Sequence, residues 1–149
     1  MMLLMCHSGE LRFALPIHDV VEVVGRPAFD PLPASPSWVA GMSIHRGVVT
    51  PVIDFATLAG VGEARSLWSS RVIVLKCEFA VQMHRVGILF DRSHAEQVPD
   101  HIVSQAIDAA VQLWPWGKTL IDEHGTYCLL DLLVLLSPQR QALLFPSMD

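Results

Sequence analysis

"VAGMSIHRGVVTPVIDF", residues 39–55, sets Arg46-Gly47 between two runs of apolar and β-branched residues. Residues 39–45 and 48–55 each read as a strand, because such side chains suit a pleated, half-buried surface. The chain must reverse at Arg46-Gly47, where Gly47 supplies the positive φ that a tight hairpin needs. Arg46 then stands at the tip, one of only ten basic residues in a chain of 149. Three readings of it are open: a turn residue, a catalytic cation, or a handle for a partner.

Working outward, short apolar segments alternate with turn signals, the pattern of an all-β chain. Residues 2–7 and 12–15 read as strands separated by Ser8-Gly9. Pro16 can start a helical turn through Ile17, Val20 and Val21, and the proline-rich "PAFDPLPASPS" is extended and irregular. Asp54 suits the N-cap of a short helix, Phe55–Leu58. After a loop over 61–70, "RVIVLKCEFAV" and "HRVGILF" form another strand pair. "DHIVSQAIDAAVQLW" changes to helical spacing, and a last hairpin over 119–130 ends at Asp131, before a helix-like "LLVLL". "RGVVTPVIDFATL" and "HGTYCLLDLLVL" echo one another: glycine turn, strand, aspartate, apolar half-helix. The glycines are out of step by one residue. We therefore expect one domain of two similar halves over 1–137, followed by a tail over 138–149.

A net charge of −5 leaves no basic footprint for nucleic acid. The 52% hydrophobic content excludes disorder, yet no apolar run reaches the ~18 residues of a membrane span. "MMLLMC" lacks the basic n-region of a signal peptide, so a cytoplasmic location is expected. The excess of apolar side chains implies a large core or apolar surface kept for partners. Cys6, Cys77 and Cys128 lie far apart in apolar runs, which suits buried, reduced thiols. Asp54 and Asp131 could suggest an aspartic dyad, but Phe55-Ala56 and Leu132-Leu133 follow them where that chemistry uses Thr or Ser and Gly. The seven histidines form neither H-x-H nor H-E-x-x-H. No enzyme, metal or cofactor is expected. The rival reading is a small β-barrel that binds a ligand or metal through its histidines.

"IHDVVEVVG", the proline-rich stretch and "PSWVAGMSIHRGVVTPVIDFATLAG" together resemble CheW, the adaptor family of bacterial chemosensory arrays. Val20-Val21-Glu22-Val23 resembles the family's V-x-E-[IV] segment, Gly41 its glycine, Arg46-Gly47 its LRG turn and residues 51–55 its PVIDL strand. "RVGILFDR" resembles the family's V-G-[IL]-x-V-D strand and "LLDLLVLL" its closing D-[LI]-x-x-LL, and small paralogues of surface-sensing (Wsp-type) arrays begin similarly. The resemblance implies two small five-stranded, SH3-like β-barrels packed together, with short helices and no catalysis. It implies coupling of the cytoplasmic tips of methyl-accepting chemoreceptors to the regulatory domain of a CheA-type histidine kinase. Val20, Glu22, Gly41 and Arg46 match partner-binding positions, with Gly47 forming the turn. Apolar contact patches are expected at Val20, Val23, Ile44 and Val49, and along a groove lined by Val86 and Ile88. His45 stands where the family has leucine.

Overall fold

The computed structural model describes residues 1–25, 30, 32–62, 69–79, 81–104 and 115–146. Among these described residues ten strands run in chain order: β1 (Met2–Ser8), β2 (Leu11–Pro16), β3 (Val20–Gly25), β4 (Val39–His45), β5 (Val48–Asp54), β6 (Arg71–Phe79), β7 (Gln82–Phe90), β8 (Arg92–Gln97), β9 (Gly117–Asp122) and β10 (Gly125–Leu130). The described residues also form four short α-helices: α1 (Phe55–Leu58) and α2 (Asp100–Ser104) between strands, and α3 (Leu132–Leu135) and α4 (Pro138–Leu144) after the last strand.

The strands form two five-stranded sheets, in the orders β8-β1-β2-β10-β9 and β3-β6-β7-β5-β4. These orders superimpose if β1 to β5 are one unit and β6 to β10 its repeat. The opening hairpin of each unit pairs with the last three strands of the other. The echo at the two aspartates is therefore structural. Asp54 follows the parallel pair Val52–Gly87, and Asp131 follows the parallel pair Leu129–Ala14 by the same two residues. Counting back nine residues from each aspartate reaches His45 and Asp122, the last strand residues before the two turns.

Each sheet keeps a small core on one face and shares a larger one with its neighbour. Leu3, Met5, Ala14, Leu120 and Tyr127 fill the first sheet's own core, and Val52, Val72, Val74 and Leu89 fill the second's. Between the sheets lie Leu4, Phe13, Leu15, Ile53, Ile73, Leu75 and Phe90. Strands buried on both faces read as unbroken apolar runs, which is why "MLLMC" and "VIVL" show no alternation. The capping of α1 feeds this core: Asp54 Oδ1 accepts from Thr57 N at 3.2 Å, and the next residue, Phe55, packs edge-on against Phe13 at 4.5 Å.

The structure corrects several expectations. Only Ile17–Asp19 forms a helical turn, while Val20 and Val21 belong to β3; β-branched residues prefer extended backbone. β8 carries no apolar alternation, because it is an edge strand whose residues are almost all exposed. Residues 138–144, expected as tail, form α4, which buries Leu144 in the shared core. Of the helix expected after Asp100, Asp100–Ser104 is present, and 105–114 lie outside the described residues.

Candidate functional site

The β4–β5 turn carries positive φ at both central residues, 49° at Arg46 and 79° at Gly47, the signature of a type I′ hairpin. Arg46 therefore holds a backbone conformation that side chains disfavour. Its guanidinium is two-thirds exposed, with Nη2 3.3 Å from Glu22 Oε2. Glu22 projects from β3, and the same oxygen lies 2.5 Å from His45 Nε2. On the other side of the imidazole, Arg85 Nη1 lies 3.2 Å from both His45 Nδ1 and His45 O. Arginine can only donate. Nδ1 must accept, so the proton of the neutral ring sits on Nε2 and is donated to Glu22.

This contact also reports on the shape of the sheet. β3 and β4 are opposite edges of the second sheet. In a flat sheet four strand spacings would separate them by about 19 Å. Glu22 and His45 meet, so the sheet has rolled into a barrel whose seam is joined by side chains at this point. Beneath the seam a cavity of about 80 Å³ is lined by Val24, Ser43, His45, Thr50 and Val74. The Glu22 carboxyl is held below the usual carboxylate range, first by the hydrogen bond from His45, with the Arg46 charge adding to it.

Around this polar cluster the hairpin is apolar and open. Ile44 and Val49 are directly paired and 73% and 59% exposed; Val23 is exposed on β3. Val20 is half-buried against the shared core. Three other expected surface residues are not on the surface. Val86 and Ile88 are fully buried on β7, which lies between β6 and β5 and so has a paired strand on each side. Gly41 is buried where β4 shifts register against β5. The groove between the sheets is elsewhere. It holds about 750 Å³ and is lined by Lys76, Glu78 and Met83 of one sheet, Lys118 of the other, and Leu133 and Val134 of α3. Sequence reasoning missed these residues because they meet only once the sheets are packed. Arg85 was missed too. Of the cluster, Glu22 and Arg46 stood out through the resemblance and His45 as the departure from the LRG turn.

The remaining chemical candidates are accounted for locally. Asp131 Oδ1 accepts from Leu133 N at 3.0 Å, so each aspartate of the supposed dyad caps a helix. All three cysteines are free and buried, and burial pushes the thiols up, to about 11 at Cys77 and about 12 at Cys128. Among the described residues no three His, Cys, Asp or Glu side chains converge to hold a metal ion. No helix among them is long and apolar enough to cross a membrane.

The family profile of the CheW-like domain matches residues 2–140. The chain belongs to the CheW-like domain family. Scaffolding proteins of this family are non-enzymatic. The protein FrzA of Myxococcus xanthus is 42% identical over 57 residues, which cover 38% of this chain and 36% of FrzA. The chemotaxis protein CheW of Rhizobium meliloti (strain 1021) is 31% identical over 83 residues, covering 56% of this chain and 51% of that protein. The chain thus spans about a third to a half of the length of these curated relatives. The crystal structure of the scaffolding protein TtCheW from Thermoanaerobacter tengcongensis shares the fold, with a TM-score of 0.75 at 20% identity over 93% of this chain and 89% of that one.

Proposed function

We propose that this CheW-like protein couples the cytoplasmic tips of methyl-accepting chemoreceptors to the regulatory domain of a CheA-type histidine kinase, in the cytoplasm at membrane receptor arrays. The observation that carries this reading is the family match along nearly the whole chain. The exposed hairpin supports it, since paired Ile44 and Val49 beside charged Arg46 form an apolar centre with a polar rim. The kinase surface consists of Val20, Glu22, Val23, Ile44, Arg46 and Val49, presented by the turn at Gly47. The receptor tip lies in the inter-sheet groove against Met83, Leu133 and Val134.

The test is co-sedimentation with a receptor cytoplasmic fragment and pull-down with the kinase regulatory domain, both taken from the same genome. Ile44→Asp should abolish kinase capture and spare receptor binding, while Leu133→Asp should do the reverse. A wild-type protein that captures neither partner at micromolar concentration refutes the proposal.

A further inference from the structure

The hairpin surface depends on a residue that no partner needs to touch. The His45 side chain is only 12% exposed, yet it contacts both Glu22 and Arg85. We propose that His45 is a positioning residue for this surface: as a neutral imidazole it couples Arg85 to Glu22 across the barrel seam, holding the Glu22–Arg46 pair in the orientation offered to a partner, and protonation uncouples it. The proposal rests on the partner-binding reading above and gives it a pH dependence.

The chemistry follows from the donors. With Nε2–H given to Glu22, only the Nδ1 lone pair is left to receive Arg85. A proton arriving at Nδ1 removes that acceptor and turns a donor toward a guanidinium 3.2 Å away. Among the described residues, Glu22 from β3 brings a carboxylate to the ring. Arg46 from the turn and Arg85 from β7 are cations, and Lys76 on β6 stands directly opposite Arg85. An imidazolium would draw Glu22 closer while repelling Arg85 and Arg46 together. Arg46, exposed and tied to the seam through Glu22, is then the group that swings free. β3 and β4 are not paired with each other through their backbones. These side chains therefore hold the seam at this level.

Two variants and two readouts test this on the full-length chain. His45→Gln can still accept from Arg85 through its amide oxygen and donate to Glu22 through its amide nitrogen, but it cannot titrate. His45→Leu can do neither. Nitrogen-15 spectra of the wild type at about pH 8 should show His45 protonated on Nε2, with restricted Arg46 guanidinium rotation. Acidification to about pH 5 should free Arg46 in the wild type and leave it restricted in His45→Gln. In His45→Leu it should be free at both pH values. Affinity for the kinase regulatory domain should fall about fivefold over the same interval in the wild type and stay level in His45→Gln. An Nδ1–H tautomer, an Arg46 signal unchanged by His45→Leu, or wild-type binding that ignores pH overturns the proposal. If the wild type binds no kinase domain at any pH, the partner reading is what has failed, and the spectra still decide the role of His45.

Discussion

At the tip of the hairpin, two adjacent residues separate recognition from folding. Arg46 is exposed and its ion pair with Glu22 lies at the surface, where solvent screens it. Arg46→Glu should therefore shift the melting temperature little and weaken kinase binding by about 2 kcal/mol or more, as loss of an interface hot spot does. Gly47 behaves in the opposite way. Nothing lies within 4 Å of where its Cβ would be, so a substitution meets no steric obstacle and only the backbone objects. At φ 79° a β-branched residue is strained, and Gly47→Val should cost about 1–3 kcal/mol in urea denaturation. Gly47→Asn should cost much less, because asparagine tolerates this conformation. If Arg46→Glu unfolds the protein, or binds like the wild type, the arginine is not a handle. The turn glycine and the arginine were legible in the sequence because both belong to a local motif. The ion-pair partner of the arginine, Glu22 on a strand 24 residues away, was not legible as its partner.

Among the elements, strands and caps followed from local chemistry, and the positions of elements did not. Aspartate before an apolar half-helix announces an N-cap at any depth, and both caps are present. Asp54→Ala should cost about 0.5–2 kcal/mol, measurable by thermal melting, without touching the hairpin surface. The edge strand β8 and the docking of α4 left no comparable signal, since one is exposed and the other buries Leu144 in the core that the two sheets share. Likewise "HRVGILF" marks a buried strand, but not which strands bury it, and so Val86 and Ile88 were expected in a groove. The repeat adds a prediction at this scale. Arg12 and Arg85 occupy equivalent places in the two sheets, each reaching the last residue before a turn. In the first sheet that residue is Asp122, gripped through two bonds of 2.8 Å, with Arg12 also 5.0 Å above the Tyr127 ring. In the second sheet it is His45, and the carboxylate comes instead from Glu22 on β3. Arg12→Ala should cost about 1.5–3 kcal/mol, as loss of charged hydrogen bonds does. Its effect on kinase binding should be small, because the first turn is not the proposed surface.

The whole molecule is governed by the exchange of strands between its two repeat units. Neither sheet can form from one unit alone, so the two barrels should unfold in a single transition, with circular dichroism and tryptophan fluorescence coincident. The composition pointed to β-structure and an ample core, but the interleaving was hidden, because pairings between β8 and β1 or β3 and β6 join residues that only topology brings together. His7 and Asp122 contribute to the acid response of this unit. His7 is held below the ordinary histidine value, first by burial and then by Arg92, His94 and Arg12. An unfolded imidazole takes up a proton near pH ~6.5 that the folded one still refuses. From there downward the unfolded state binds more protons, and stability must fall as the pH falls. Asp122 is lowered chiefly by the hydrogen bond from Arg12. Its contribution is intact above the unfolded aspartate value of about 3.9 and is lost as pH drops through the lower folded value. The urea midpoint should therefore decline in two stages, the first beginning near pH ~6.5 and the second below about 4. His7→Phe should flatten the first stage and leave the second; Asp122→Asn should do the opposite. Midpoints that stay level from about pH 7.5 to 5 in the wild type would show that His7 takes its proton as readily in the folded protein as in the unfolded chain.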